Sequence, residues 1–221
     1  MLVHPSDAPT DDAEWRQWLT STDRFGVLCV NNLDPAAAPL VLPTHFTLAG
    51  DEVLLHLARP NAVWPHLEAA AEVRLVVTGD QAYVPTYWRA EPGTPEQDGV
   101  PTSYYASVQL VCRPTVVDDP HGKAEVLSAQ LADLQPEGRH AAVAVGAGPY
   151  GRMLSGIRGV RLAVLRVEAK LKYDDHKPVE HRERVAAALD ERGRGADAGA
   201  ARQQRRRLSA IGDRWARRAA R

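Results

Sequence analysis

The sequence is poor in cysteine, and this scarcity limits the chemistry that it can contain. Its 221 residues include two cysteines, Cys29 and Cys112, and each lies in an apolar stretch typical of a β-strand. Two distant thiols exclude a cysteine-based metal cluster, and a disulfide scaffold needs more pairs. A catalytic thiol is favoured by a basic, partly exposed setting, which neither stretch offers. We therefore interpret both cysteines as small buried apolar residues.

Long apolar runs are also missing. No stretch approaches the roughly 20 apolar residues that a membrane-spanning helix needs. The first five residues, followed by a group of acidic side chains, have neither the basic leader nor the apolar stretch of a signal peptide. The sequence therefore predicts a cytoplasmic protein without a membrane segment.

Neither positive nor negative charge dominates the chain, whose formal net charge is −1 at pH 7. The charged residues are nevertheless unevenly distributed along it. Residues 202–221 contain eight arginines and one aspartate, so the rest of the chain carries an acidic excess. The glycine-rich stretch Gly193–Gly199, just before this basic segment, is typical of a flexible joint. We predict a folded domain over residues 1–192 and a flexible joint with a basic C-terminal tail over residues 193–221.

The sequence does contain a succession of short strand-like stretches separated by turn residues. Strands are predicted at Phe25–Val30, Leu40–Leu48, Glu52–Leu57, Val73–Val77, Gln81–Val84, Tyr104–Val117 and Val160–Tyr173, with a turn at Thr78–Asp80. Helices are predicted at Asp12–Leu19, Val63–Ala71, Asp118–Leu134 and Val179–Leu189. Many short antiparallel strands with few helices favour a barrel, because closure removes exposed sheet edges. The predicted fold class is mainly β with flanking helices.

One glycine-rich stretch, Gly146–Gly151, matches the GxGxxG pattern of dinucleotide-binding loops. Only the residues from Pro149 to Ser155 could form a helix before the next glycine. A parallel crossover needs about a dozen residues or more. We therefore interpret this stretch as a loop followed by one or two helical turns.

The best local candidate for ligand binding is the stretch His56–Trp64, where a predicted strand ends and a predicted helix begins. Asn61 is a favoured N-cap residue, and Arg59 precedes it. Free backbone N–H groups at a helix start, joined by a guanidinium group, form a recognised type of phosphate site. Trp64 adds a large ring that either packs on a cofactor or fills the core. Chemistry alone leaves phosphate binding open, because polar strand-to-helix junctions are common.

The same stretch resembles the H-[VL]-A-R-x-N-x-x-W segment of the PaiB-like, FMN-binding split-barrel proteins. The similarity continues in order and at matching separations through five more segments, roughly over residues 25 to 190. These segments are Gln81–Pro85, Val100–Tyr105, Arg113–Pro120, Tyr150–Leu154 and Glu168–Tyr173. A series of this length is improbable by chance.

The resemblance implies an antiparallel split β-barrel of the FMN-binding type, dimerised so that two FMN molecules lie at the interface of the homodimer. It implies that the phosphate lies near Arg59 and Asn61, with Trp64 beside them. The positions that it implies for the flavin ring, some from the second subunit, are Thr44, His45, Gln81, Tyr104 and Tyr105.

Two lysines of the final strand, Lys170 and Lys172, match a K-x-K pattern of many relatives, although the polar S-Q-N that follows there is replaced here. On one face of the strand, either lysine could neutralise a phosphate or the charge of a reduced flavin. A solvated strand end is the alternative. His176 and His181 are five residues apart, which does not place them together on a helix face, so no metal site is predicted.

Two functions follow from these observations. The first is a flavin-dependent oxidoreductase or redox sensor that acts on a small molecule, with no catalytic residue identified. The alternative, implied by the family description "negative transcriptional regulator", is a flavin-binding regulator that contacts DNA. Its physical support is a basic amphipathic helix that Arg205–Arg207, Leu208, Ile211 and Trp215 could form. We favour the first, because the concentrated motif evidence concerns flavin and no DNA-reading element is recognisable.

Overall fold

The computed structural model describes residues 1–212 of the chain. Its strands are β1 Phe25–Val30, β2 Leu40–His45, β3 Thr47–Ala49, β4 Glu52–Ala58, β5 Val73–Val84, β6 Thr102–Val117 and β7 Ile157–Lys172. Its α-helices are α1 Asp12–Thr20, α2 Trp64–Ala69, α3 Thr86–Arg89, α4 Pro120–Leu134, α5 Gly148–Met153, α6 Val179–Arg192 and α7 Asp197–Ile211. The strands form one sheet in the order β2-β1-β5-β6-β7-β4-β3. The fold is thus a mainly antiparallel sheet with flanking helices, as predicted.

The chain divides into two compact units. The barrel unit consists of Gln17–Val77 and Gln109–Val167. The helical unit consists of Met1–Arg16, Thr78–Val108 and Glu168–Arg221, of which the structure describes the part up to residue 212. Strands β5, β6 and β7 contribute residues to both units.

The barrel unit contains a sheet whose two ends meet. Strand β1 pairs antiparallel with β2 and β5, and β4 pairs antiparallel with β3 and β7. Strands β2 and β3 stand at opposite ends of the strand order, yet in the chain only Phe46 separates them. The sheet therefore returns to its starting point, as in a barrel, and both terminal strands are tied together. Phe46 itself is completely buried, which fixes this corner in the core.

Buried and more exposed residues alternate along the strands of the barrel unit, and the buried ones form its core. In β1 the buried side is Gly26, Leu28 and Val30, while Phe25 on the other side is 51% exposed. Helix α4 packs against β3 and β4, and its Val126 is fully buried. The period of two that the sequence shows is thus explained by one face that packs inward.

The helical unit is built around α6 and α7, which pack against each other. Leu189 of α6 and Ala200 of α7 are fully buried. Helix α6 ends at Gly193, whose φ of +57° is the left-handed conformation of a glycine C-cap and whose N–H bonds to the Leu189 carbonyl at 3.0 Å. At Gly199 a Cβ would lie 2.2 Å from Asp80 Oδ1, so a larger residue at this point of α7 would displace the Asp80 side chain.

Several predicted element bounds were wrong. The turn at Thr78–Asp80 does not form, because β5 runs on through it and Asp80 absorbs the irregularity with a φ of +49°. The predicted strand Leu40–Leu48 is interrupted at Phe46. Helix α2 begins at Trp64 rather than after Asn61. At Thr78–Asp80, turn-like composition gave way to the extended course of β5.

The predicted flexible joint and hanging tail also differ from the structure. The carboxylate of Asp197 accepts hydrogen bonds from the Arg192 side chain and the Arg194 N–H, which holds the connection in a fixed turn. Residues 197–211 then form the packed helix α7. Trp215 and the last arginines lie outside the described residues, and the predicted domain boundary after residue 192 stays a prediction.

Candidate functional site

Two cavities, one in each unit, contain residues that the sequence predicted for ligand binding. The helical-unit cavity has a volume of about 720 Å³, and Gln81, Tyr104 and Tyr105 line it. The barrel-unit cavity has a volume of about 780 Å³, and Thr44 and His45 line it. Both volumes lie in the range of small-molecule sites, roughly 300–1,000 Å³.

Tyr104 and Tyr105 are neighbours on β6 and therefore point to opposite sides of the strand. Tyr104 is completely buried, and its hydroxyl donates to Asp174 Oδ2 at 3.0 Å and accepts from Gln204 Nε2 at 3.0 Å. Burial, helped by the Asp174 charge, raises the pKa of Tyr104 well above its ordinary value, so this hydroxyl keeps its proton. Tyr105 is only half-buried, and Lys170 Nζ lies 5.8 Å from its ring centroid. Tyr105 is thus the more accessible ring.

The opposite wall of the helical-unit cavity is the connection between α6 and α7, which supplies Arg192 and Arg194. Arg192 forms two hydrogen bonds of 2.7 Å with the Asp197 carboxylate and one of 2.9 Å with the Tyr83 carbonyl. Its guanidinium group also stacks on Trp88 at 4.6 Å. Arg194 is exposed, and within residues 1–212 its guanidinium group has no hydrogen-bond or ion-pair partner. The wall therefore carries two guanidinium groups and one carboxylate, and the Asp197 charge interacts with both arginines.

The two predicted lysines occupy different environments. Lys170 Nζ contacts the Leu2 carbonyl at 3.1 Å and the Asp7 carboxylate at 3.5 Å, so its charge is compensated. Lys172 Nζ donates to the Thr102 hydroxyl at 2.8 Å, a neutral acceptor. Neither is simply the solvated strand end that the sequence left open.

The barrel-unit cavity combines polar and apolar walls. His56 Nδ1 lies 2.6 Å from Gln130 Oε1, and the side of α4 that carries Leu127 faces the same space. His45 packs edge to face with Phe25, with ring centroids 4.8 Å apart. These residues suit an organic ligand with both apolar and hydrogen-bonding parts.

The predicted phosphate junction between β4 and α2 is largely occupied by internal contacts. Arg59 donates to the Ser155 carbonyl at 2.8 Å and pairs with Asp118 through two nitrogens. The hydrogen bond with Arg59 lowers the pKa of Asp118, so this carboxylate stays charged. Asn61 Oδ1 accepts from the Val63 N–H at 3.0 Å. A phosphate at Arg59 would have to compete with Asp118, and the role of Arg59 and Asn61 in phosphate binding stays a prediction.

Trp64 belongs to the core rather than to an open surface. It is 5% exposed, its Nε1 donates to the Ala58 carbonyl at 3.1 Å, and the Arg158 guanidinium lies 4.7 Å above its ring. These contacts favour the second of the two interpretations that the sequence left open for this ring.

Sequence reasoning missed Arg192, Arg194 and Asp197. The available signal was the pair Gly193 and Gly195, since glycines often mark turns, and both have a positive φ in the structure. The glycine-rich composition of this stretch was interpreted instead as a flexible joint. Cys112 is buried, as expected, and burial raises its thiol pKa to about 12, whereas the prediction was wrong for Cys29, which is only half-buried. Over residues 1–212, no cluster of metal-ligating side chains is found, and no helix is long and apolar enough to cross a membrane.

The mainly antiparallel sheet with flanking helices is the fold of split-barrel proteins that bind flavins, as comparison with known proteins shows. The family described as "Putative FMN-binding domain" matches residues 1–166, and the chain belongs to this family. Its cofactor is accordingly FMN or a closely similar flavin. No curated protein matches the sequence.

Two solved structures illustrate the shared fold. The flavocytochrome Anf3 from Azotobacter vinelandii aligns with a TM-score of 0.56 and 19% identity, over 74% of this chain and 68% of that one. The FAD and heme binding protein from Mycobacterium smegmatis aligns with a TM-score of 0.57 and 17% identity, over 74% of this chain and 72% of that one. At these identities the similarity concerns the fold.

Proposed function

We propose that this protein is an FMN-dependent oxidoreductase or redox sensor that acts on a small molecule. The observation that carries the proposal is the helical-unit cavity, where Gln81, Tyr105 and the Arg194 guanidinium group line one space in a chain of an FMN-binding family. A bound flavin supplies hydride or electron transfer, and the protein supplies binding and orientation.

The residues of this cavity fit the parts of an FMN molecule. The rings of Tyr83 and Tyr105 offer surfaces for the flat isoalloxazine, and the Gln81 amide can both donate to and accept from its polar edge. Arg194 offers a cation for the phosphate. The cavity thus combines aromatic, amide and cationic groups, each of which can contact one part of a phosphorylated aromatic ligand.

We also propose that the protein acts as a homodimer through the outer face of the β1–β2 hairpin. Opposite residues of the two strands share this face, and they form the pairs Phe25 with His45, Val27 with Pro43 and Cys29 with Val41. Phe25 is 51% and Val41 57% exposed. A second copy suits this face, because an apolar patch can pair with itself about a two-fold axis. His45 lines the barrel-unit cavity as well, so a partner would lie beside that cavity.

The regulator hypothesis has less support from the described part of the basic segment. Arg205 pairs with Asp190 at 2.6 Å, and Arg206 pairs with Glu14 at 2.9 Å. Arg207 is buried. DNA binding depends on cations that are free to neutralise phosphates, and of the four arginines in residues 202–212 only the exposed Arg202 has no acidic partner within residues 1–212.

The proposal is tested with purified full-length protein. We expect FMN to bind, with quenching of its fluorescence, and the bound flavin to bleach when a nicotinamide donor is added without oxygen. Addition of a small-molecule acceptor should then restore the oxidised spectrum. Absence of flavin binding would contradict the whole proposal. Binding without reduction by any donor would reject the enzyme and leave the flavin-binding regulator.

A further inference from the structure

The barrel-unit cavity is not used by the proposed flavin chemistry. Its volume of about 780 Å³ is sufficient for a drug-sized organic molecule. All of its lining residues belong to the barrel unit, so the cavity is complete within one compact unit. The chemical groups on its walls therefore define which ligand would fit.

A hydrogen bond between His56 and Gln130 fixes the polarity of one wall. His56 Nδ1 lies 2.6 Å from Gln130 Oε1. An amide oxygen can only accept, so Nδ1 carries the proton, and Nε2 of the neutral ring is then an acceptor. Neither this Nε2 nor the Gln130 amide nitrogen has a hydrogen-bond partner within residues 1–212. The wall thus offers a ligand one acceptor and one donor.

The open donor of Gln130 belongs to a side chain that is otherwise enclosed. Gln130 is 4% exposed, yet it lines the cavity. A buried polar group without a hydrogen-bond partner is destabilising, and most such groups in proteins are satisfied. A ligand that accepts from the Gln130 amide would remove this cost.

The wall formed by α4 is apolar. Leu127, Leu131 and Leu134 follow one another at spacings of four and three residues, which places them on one side of the helix. None of the three is fully buried, and Leu134 is 38% exposed. This side of α4 is suited to contact a ring or another apolar part of a ligand.

The charges around the cavity disfavour anions. Arg24 pairs with Asp133 at 2.9 Å and also donates to the Asp133 carbonyl at 3.3 Å. Asp23 is exposed, lines the cavity and has no ion-pair partner within residues 1–212. Its carboxylate repels a negatively charged ligand, although solvent weakens the effect.

We propose that the barrel-unit cavity binds an uncharged molecule that carries a carboxamide or cyclic amide group on an apolar ring. The carbonyl accepts from the Gln130 amide, the N–H donates to His56 Nε2, and the ring contacts the leucine side of α4. Asp23 excludes the corresponding carboxylate. The inference goes beyond the proposed function and does not depend on it, because no residue of the helical-unit cavity takes part.

The test uses benzamide and benzoate as probes, two molecules of nearly the same shape that differ in the carboxamide and in charge. Binding to the full-length protein is measured by ligand-observed NMR titration. We expect benzamide to bind about tenfold or more tightly than benzoate, because benzoate has no donor for His56 Nε2 and is repelled by Asp23. Saturating FMN should not displace benzamide, since the proposed flavin cavity is the other one.

Two variants separate the hydrogen bond from the charge. Gln130→Leu keeps the approximate size of the side chain but removes the donor, and it should weaken benzamide binding about fivefold to tenfold. Gln17→Leu is the matched control, because Gln17 is an exposed glutamine of the barrel unit that does not line the cavity. Asp23→Asn should strengthen benzoate binding about threefold to tenfold and change benzamide binding by less than about twofold.

No binding of benzamide, or equal affinities for the two probes in the unaltered protein, would overturn the inference. Equal effects of Gln130→Leu and Gln17→Leu would do the same. Displacement of benzamide by FMN would make this cavity part of the flavin site and reject a separate ligand. If Gln130→Leu does not fold, the exposed position Asp23 decides: unchanged benzoate binding in Asp23→Asn rejects the inference. Failure of the protein to bind FMN would contradict only the proposed function.

Discussion

Arg207 carries its charge inside the helical unit, where its side chain is 1% exposed. It donates to the Asp175 carboxylate, to Glu14 Oε1 at 2.8 Å, and to the Ser6 and Ala8 carbonyls at 3.1 and 3.0 Å. These acceptors compensate the cost of burying a guanidinium group. In the sequence Arg207 is indistinguishable from its neighbours in an arginine run, so only the folded chain reveals its role.

Replacement of this arginine should be costly. We expect Arg207→Met to lower the free energy of unfolding by about 3–5 kcal/mol, because Asp175 and Glu14 would be left as buried charges with one partner fewer. Arg205→Met is the control, since Arg205 and Asp190 form an exposed pair whose loss should cost less than about 1 kcal/mol. Urea unfolding followed by circular dichroism measures both. Similar losses in the two variants would contradict the role given to Arg207.

Asp174 gives the helical unit a specific sensitivity to acid. Burial by itself would raise the pKa of this carboxyl, but the His181 ring, whose Nε2 lies 3.6 Å from Asp174 Oδ2, and the Arg89 charge outweigh it and lower the pKa to about 2. The unfolded chain has the ordinary value of about 3.9. A carboxyl with a depressed pKa stabilises the fold above about pH 4, and this contribution is lost as the pH falls towards about 2.

We therefore expect the free energy of unfolding to fall between about pH 4 and pH 2 more steeply in the unaltered protein than in Asp174→Asn. Asparagine suits the backbone here, because the φ of residue 174 is +58° and asparagine tolerates the left-handed region. Asp190→Asn, which removes an exposed carboxylate, serves as the comparison. Parallel pH profiles for the protein and Asp174→Asn would show that Asp174 does not carry this dependence.

The elements predicted best are those whose sequence signals, such as alternation and flanking turn residues, lie within the segment itself. The bounds of β1, Phe25–Val30, were predicted as they are, because alternation and flanking turn residues lie within the segment. The continuous β5 was missed, because its pairing partners, not its Thr78–Asp80 composition, decide its course. The C-terminal wall of the cavity was missed for the same reason: a single carboxylate, Asp197, converts a glycine-rich stretch into a fixed turn.

The site shows a similar division. Motif similarity located Gln81, Tyr104 and Tyr105, which the structure brings to one cavity, and Thr44 and His45, which it brings to another. It gave no indication that Arg59 is paired with Asp118 or that the Tyr104 hydroxyl is turned towards Asp174. Such partners are distant in the chain and follow no spacing rule.

Helix α7 should be an integral element of the helical unit. A chain that ends at Gly195 loses the buried residues Gln204 and Arg207, and with them partners of Tyr104 and Asp175. We expect this truncated protein to lose more helical signal than the removed helix accounts for and to be cleaved by protease within the helical unit. If truncation after Gly195 leaves protease resistance and the melting temperature unchanged, residues 196–221 are an appended tail, as the sequence predicted, and α7 is not an integral element.

At the scale of the whole molecule, the assembly state should depend on the outer face of the β1–β2 hairpin. We expect Val41→Asp to shift the protein from dimer to monomer in size-exclusion chromatography with light scattering, because it places a charge in the apolar contact. Tyr87→Asp, which alters an exposed aromatic residue of the helical unit, should leave the dimer intact. A monomeric unaltered protein, or dissociation by both variants, would contradict the proposed interface.

The helical unit takes its residues from both ends of the chain, with Met1–Arg16 at one end and Glu168 onwards at the other. Arg207 joins these ends through the Ser6 and Ala8 carbonyls. During synthesis on the ribosome, all segments of the barrel unit have been made once residue 167 is added. Residues 1–16 are made long before their partners from Glu168 onwards, and we expect chaperones to engage the nascent chain over this interval.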